Sequence, residues 1–301
     1  MDTHDKMAEL RKMAELDGMT QDDRLVWEID FDRRPVVDEQ GKPRWEWVFC
    51  ATDGTEPLSL WCAQPEATAA WVQATLEKLL RDRPAPHAIH VFRPQTLNRL
   101  ESVCQTLNIP LLATRHTPRL KAQLQHLATT YATQPGYTGQ PYDPLALEQP
   151  PPLPLDDSLL GQQWQFATVP AGELTDLFVG RMIPVVEVPP EFLPLPLGIA
   201  STQPIPGIVI EGGRRSLRIA QWLQSVYPAA LRYVPGAPDG VILEAGLVDR
   251  WIMATFKDTD VAIAAHQFEQ RKHASQGLHF LLIQPDDSGM TFSGFWLLKQ
   301  S

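Results

Sequence analysis

A mixed α/β fold in two domains is predicted for this chain by three observations: tryptophan-rich segments of period-2 alternation near the start, amphipathic helical stripes alternating with short apolar runs, and proline clusters in the middle. Trp27, Ile29 and Phe31 alternate with Glu28, Asp30 and Asp32, and Trp45 and Trp47 flank Glu46, the pattern of half-buried strands. Asp38-Glu39-Gln40-Gly41-Lys42-Pro43 supplies turn chemistry between them, so the two runs read as a hairpin.

The order of elements follows from there. Strands are expected near 25–35, 44–52 and 57–63, then a helix near 65–82, a strand at 87–93, a helix at 94–108, a strand at 109–114 and a helix at 117–132. Leu97, Leu100, Cys104 and Leu107 share one helical face, as do Leu120, Leu124, Leu127 and Tyr131. The resulting βββαβαβα order is that of a ribonuclease H-like domain, with the first strand at the centre of a mixed sheet. Residues 134–158 carry seven prolines with Gly136 and Gly139, which places a linker there. Residues 184–206 carry seven more, interleaved with Val185, Val186, Phe192, Leu193, Leu195 and Leu197, and read as an extended segment packed over the second domain. From 207 onward come a strand (207–211), a helix (214–227), three strands (230–234, 240–245, 250–256), a helix (260–276) and two strands (278–284, 292–298). The expected organisation is an extension at 1–24, a ribonuclease H-like domain at 25–133, a linker at 134–158 and a second mixed α/β domain at 159–301.

Composition narrows the function. Hydrophobic content of 44% and charged content of 21% are ordinary for a globular protein, and 301 residues suffice for two cores. No apolar run reaches the roughly 18 residues of a spanning helix, and Met1-Asp2-Thr3-His4-Asp5-Lys6 is not a signal-peptide opening, so a cytoplasmic location is expected. Residues 6–16 hold a near-duplication, Lys6-Met7-Ala8-Glu9-Leu10 and Lys12-Met13-Ala14-Glu15-Leu16, with helical propensity. A net charge of -10 argues against a wholly basic nucleic-acid binder, so any such site must be a local patch. Cys50, Cys62 and Cys104 lack metal-ligand spacing and read as buried free thiols, and no cofactor motif is present.

Trp27-Glu28-Ile29-Asp30-Phe31 with Arg33, Pro35 and Trp45-Glu46-Trp47 resembles the opening of the Tab-two (Atab-two) family of RNA-binding proteins. The resemblance recurs at Phe92-Arg93-Pro94, Pro135-Gly136-Tyr137, Ile205-Pro206-Gly207, Leu243-Glu244-Ala245-Gly246-Leu247 with Arg250-Trp251, Gly277-Leu278-His279-Phe280-Leu281 and Gly294-Phe295-Trp296-Leu297-Leu298, in family order from about residue 25 to the end. It implies binding of single-stranded A/U-rich RNA, a role in translation or assembly of photosystem subunits, and partners among the proteins of those processes.

Two opposed constellations of charge compete for a site. Glu28, Asp30 and Asp32, with Glu66 or Glu77, supply part of the carboxylate set of a two-metal nuclease, but the fourth strand ends His90-Val91-Phe92-Arg93, and an arginine repels a metal. Asp30 and Asp32 therefore read better as ion-pair or hairpin residues, and the chain as a binder rather than an enzyme. Between 85 and 133 stand Arg93, Arg99, Arg115, Arg119 and Lys121 against one acid, Glu101. Arg93 and Arg115 follow strands and lead into helices, which puts them at the carboxyl edge of the sheet, where helix amino-termini add positive potential. A solvated helical face explains the same charges. In the second domain Gly212-Gly213-Arg214-Arg215-Ser216-Leu217-Arg218 forms a strand-to-helix turn with three arginines, and Trp251 beside Arg250, with Trp296, are candidates for base stacking. The expected RNA-contacting set is Arg93, Arg115, Arg119, Lys121, Arg214, Arg215, Arg218, Arg250 and Trp251.

Overall fold

A computed structural model describes residues 25–300, so the near-duplication at 6–16 lies outside the described residues. The chain divides into two compact units, with the boundary between Glu148 and Gln149. In the first, β1 (Val26–Val37), β2 (Pro43–Ala51) and β3 (Leu58–Ala63) are followed by α1 (Ala69–Asp82), β4 (Ala88–Val91), α2 (Pro94–Thr106), β5 (Leu111–Ala113) and α3 (Pro118–Tyr131). The sheet order is β3-β2-β1-β4-β5, with β1 antiparallel to β2 and parallel to β4. The first strand is thus central and the topology is ribonuclease H-like, as the element order predicts. Asp38 closes the β1–β2 turn by accepting the Gln40 and Lys42 amides on Oδ1, and Gly41 takes a positive φ of 77° there.

Alternation along β1 has an outcome that a half-buried strand would not show. Trp27, Ile29 and Phe31 pack with Trp47, Val72, Leu76, Leu100 and Val103 beneath α1 and α2. The other face is covered by α3, where Val48, Cys50, Phe92, Leu120 and Leu124 form a second cluster. Glu28 and Asp30, expected to face water, are only 3% and 0% exposed. A central strand covered on both faces has no solvated side, so its carboxylates must find partners inside.

The proline-rich stretch at 134–158 is divided between the two units. Its first part runs back over the amino-terminal sheet, where the Val37 amide donates to Gly136 O at 2.9 Å, Thr138 N donates to Pro35 O at 3.0 Å, and Val36 bridges Tyr137. Prolines donate no amide, so this stretch is held by the few amides it has and by carbonyls that accept from side chains.

The second unit comprises β6 (Leu153–Pro154), β7 (Gln163–Pro170), β8 (Val185–Glu187), β9 (Pro204–Glu211), α4 (Ser216–Val226), β10 (Pro228–Val234), β11 (Asp239–Ala245), β12 (Asp249–Phe256), α5 (Thr259–Ala274), β13 (Leu278–Gln284) and β14 (Gly294–Lys299). They form a four-stranded sheet, β10-β11-β12-β6, and a five-stranded sheet, β7-β9-β13-β14-β8. Every residue of β13 is buried. Leu281 and Ile283 join Ile208, Leu223, Leu231 and Trp296 in one core, and Phe280 and Leu282 join Leu174, Phe178, Leu193 and Phe295 in another. The second core is roofed by residues 171–199; the interleaved prolines and aliphatics pack as expected, but through short 3-10 and other turns rather than an extended run, and Leu195 is left 74% exposed. Among the described residues no helix is long and apolar enough to cross a membrane.

β10 lies at the margin of its sheet, and its outward backbone groups are satisfied by side chains. His279 accepts the Leu231 amide on Nε2 at 2.9 Å, Lys272 donates to Leu231 O at 2.7 Å, and Glu269 accepts the Tyr233 amide at 2.8 Å. Burial, reinforced by Lys272, pushes the His279 pKa from 6.5 down to about 3, so the ring is neutral in the fold. A depressed histidine stabilises the fold fully above its unfolded pKa and loses that contribution as pH falls from about 6.5 toward 3. Between pH 7 and pH 5 this one site is expected to remove about 2 kcal/mol of stability. Urea melts of the wild type and His279→Gln across that range check it: the wild type should lose more stability than the variant, and parallel losses would refute the assignment.

Candidate nucleic-acid interface

The carboxyl edge of the amino-terminal sheet is occupied by its own side chains. Asp30, fully buried, pairs with Arg34 Nη2 at 2.9 Å and Arg93 Nε at 3.1 Å, and Asp32 lies 3.4 Å from Arg93 Nε. Arg34 also reaches Glu46 Oε2 at 2.9 Å, and Glu46 accepts from the hydroxyls of Tyr131 and Ser59. Arg93 spends its remaining donors on Ala146 O and Pro144 O, each at 2.9 Å, and Arg34 Nη1 donates to the Tyr142 hydroxyl at 3.3 Å. Despite complete burial, Asp30 keeps its carboxyl below the usual range because two guanidiniums face it, and, against the lowering effect of its own burial, Arg34 is held well above its ordinary pKa by Asp30, Tyr142, Tyr131 and Glu46. Where a nuclease would hold two cations, this fold holds two arginines.

Arg93 is therefore poorly placed for phosphate: it is 6% exposed and each of its three nitrogens already donates within the fold. Both helix amino-termini at this edge are faced by carboxylates as well. Glu28 accepts the Leu120 amide at 2.7 Å in the first turn of α3, and Thr96 Oγ1, in the first turn of α2, donates to Asp30 at 3.0 Å. The positive potential expected there is spent internally. Burial raises the Glu28 pKa, against the lowering pull of the Leu120 amide, His116 and Arg119. Arg119 is exposed, Arg115 half-buried, and Lys121 sits 5.7 Å over the Phe92 ring with its pKa lowered by burial and by Arg115. Sequence reasoning missed Arg34, Glu46, Tyr131 and Tyr142 as members of the network. The available signal was the Asp30/Arg34 spacing on a strand that keeps both on one face.

The second unit presents its arginines differently. β9 ends at Glu211, and Gly212 turns the chain so tightly that a Cβ there would lie 2.6 Å from Ser216 Cα, a clash only glycine avoids. Arg214, Arg215 and Arg218 are all exposed on the turn and first turn of α4. Arg215 Nη1 donates to Asp157 O at 3.0 Å, and Arg218 lowers the pKa of Asp156 behind the larger effect of the Ser158 hydrogen bonds. Arg250 is half-buried and reaches Pro150 O at 3.5 Å, while Trp251 packs edge-on against Trp222 with ring centroids 5.6 Å apart. Trp296, a candidate for stacking by sequence, is 0% exposed and belongs to the core. Of the expected set, then, the structure gathers Arg214, Arg215 and Arg218 on one exposed surface, leaves Arg119 exposed elsewhere, and commits Arg93 to the interior. The three cysteines are free and buried, and desolvation pushes the Cys50 thiol up to about 12.

Residues 26–127 match the family model described as RNA-binding protein Tab2/Atab2 N terminal, and residues 142–299 match that of the RNA-binding protein Tab2/Atab2 C-terminal domain. The chain belongs to the Tab2/Atab2 family of RNA-binding proteins. It is 27% identical over 280 residues to the chloroplastic TAB2 homolog of Arabidopsis thaliana, covering 90% of this chain and 74% of that protein. The corresponding Zea mays protein is 29% identical over 283 residues, covering 90% of this chain and 70% of its own. Among solved structures, the catalytic domain of Mos1 mariner transposase aligns at a TM-score of 0.28 and 16% identity, over 46% of this chain and 72% of its own. The catalytic core of BIV integrase aligns at 0.27 and 18%, over 36% and 69%. At those scores the ribonuclease H-like assignment rests on strand order and direction. The two family segments bracket the two units, and the carbonyls that engage Arg93 lie at the start of the second segment in sequence but in the first unit in space.

Proposed function

We propose that this Tab2/Atab2 family member binds single-stranded A/U-rich RNA without cleaving it, and that it acts in translation or assembly of photosystem subunits. The observation that carries the reading is the exposed arginine turn of the second unit, Arg214, Arg215 and Arg218, in a chain where one of the two arginines expected at the amino-terminal sheet edge, Arg93, is bound to carboxylates. Three guanidiniums on a glycine turn suit phosphate, and flexible arginines on a surface tolerate many sequences. The non-catalytic part of the reading is supported by Arg34 and Arg93 on Asp30: a divalent cation would have to displace two buried guanidiniums from that carboxylate. The relatives are named as chloroplastic, and the photosystem role is supported by the family resemblance.

Titration of a single-stranded A/U-rich oligonucleotide at several salt concentrations tests the binding. Arg214→Ala with Arg215→Ala should weaken affinity across sequences and reduce the salt slope by about 1.4, at roughly 0.7 per lost phosphate contact, with stability changed by less than about 0.5 kcal/mol each. An unchanged slope in the folded double variant would refute this surface. Cleavage of the RNA in Mg²⁺ would refute the non-catalytic reading. Crosslinking in cell extract and sequencing of the bound RNA tests the photosystem role, which enrichment of unrelated messages would overturn.

A further inference from the structure

Beside the arginine turn lies an apolar cavity of about 230 Å³ between the two sheets of the second unit. Ile208 and Leu281 line it from the five-stranded sheet, Val241 and Met253 from the four-stranded sheet, and the half-buried Trp164 from β7. Residues 155–161 form a strap at its mouth, where Leu160 is 42% exposed. No charged side chain lines it, and Thr255 supplies its only hydroxyl. Well-packed interiors rarely leave such a space, and an apolar cavity of about 150 Å³ already admits benzene. The room therefore suits a ring system of nucleobase size.

We propose that this cavity receives one unstacked base of the bound strand, with uracil preferred and guanine rejected; the inference rests on the RNA-binding reading above. Two observations join the cavity to the arginines. Ile210 lines it and stands four residues before Arg214, and the strap is tied to the arginine turn through Arg215 and Asp157 O. A phosphate held at Arg214 or Arg218 would thus leave its base near the mouth. The preference follows from the lining: uracil brings one N–H donor, guanine brings one ring N–H and two amino N–H, and lining side chains with a single hydroxyl leave more of guanine's donors to find main-chain acceptors. Arg218 acts on Asp156 and Arg215 is tied to the main-chain oxygen of Asp157, so stacking against Trp164 adds a base contact to the phosphate contacts of the turn.

The test uses the full chain with two ten-nucleotide strands of otherwise abasic ribose-phosphate, a U strand carrying a single central uracil and a G strand carrying a single central guanine. The wild type should bind the U strand about tenfold tighter, the scale of one stacked or rejected base. Ala254, opposite Val241 on the lining face, is replaced by phenylalanine to fill the space. Ala254→Phe should lose that tenfold preference and keep its salt slope, whereas Arg214→Ala with Arg218→Ala should lose slope and keep the preference. A folded Ala254→Phe protein that retained the preference would overturn the cavity assignment, as would equal wild-type affinity for both strands. Absence of wild-type binding to either strand would instead overturn the RNA reading itself. If Ala254→Phe does not fold, a U strand carrying 5-iodouracil is photo-crosslinked to the wild type: attachment within 155–164 or 253–255 supports the site, and attachment elsewhere overturns it.

Discussion

Arg93→Ala is expected to destabilise the amino-terminal unit by about 3–5 kcal/mol while leaving the salt slope of RNA binding unchanged. The side chain is 8% exposed and faces Asp30 and Asp32, so its removal leaves Asp30 with one guanidinium and Asp32 with only the weaker pull of Arg34. Breaking a buried pair from one side costs that much because the remaining charge keeps its desolvation penalty without its partner. The carbonyls of Pro144 and Ala146 lose their donors at the same time. Thermal or urea melts combined with RNA titration decide: a stable Arg93→Ala protein with a shallower salt slope would mean that Arg93 touches phosphate after all. The same geometry gives burial the larger say at Asp32, whose pKa is raised in spite of Arg93, so that of the two aspartates Asp32 protonates before Asp30 as pH falls.

Trp296→Ala is expected to cost about 3–5 kcal/mol in the second unit through the cavity left behind. Trp296 is 0% exposed on β14, and Gly294 sits beneath its ring so closely that a Cβ there would lie 2.5 Å from it. The ring therefore fills space that no neighbour can reclaim without moving β14. Denaturant titration of the folded chain checks the magnitude; a change below about 1 kcal/mol would mean that the core collapses around the gap. Because α4 packs in the same cluster through Ile219, Ala220 and Leu223, part of any loss of RNA binding in this variant would come through α4 rather than through contact with a base.

How much of this was legible in the sequence differs sharply between the units. Each strand and helix from Val26 to Tyr131 lies within a few residues of its expected span, because hydrophobic alternation and helical stripes there are uninterrupted. The eight-residue β7 was not foreseen: Trp164, Phe166 and Val169 nearly alternate, but the run ends in Pro170 and follows a proline-rich stretch. β6 and β8, of two and three residues, are too short to carry a period. The site was less legible than the fold. Arg93 and Asp30 are 63 residues apart, and no local pattern distinguishes an arginine that answers a carboxylate from one that answers a phosphate. The arginines on the Gly212-Gly213 turn were legible because glycines and charge are contiguous. The cavity beside them was not, since it is bounded by strands from both sheets.

The stretch from Gln134 to Glu148 changes where this protein can be cut. By element pattern the first domain is complete at Tyr131, and by family segment at residue 127. Yet Tyr142 answers Arg34, Pro144 and Ala146 answer Arg93, and Leu145 and Leu147 pack against the cluster of Val48 and Leu120. A fragment ended at either pattern boundary would expose an apolar surface and take one hydrogen-bond partner from Arg34 and two from Arg93. The smallest self-sufficient piece of the amino-terminal half therefore runs through Glu148, and the proline-rich tail belongs to it as a missing wall belongs to a room.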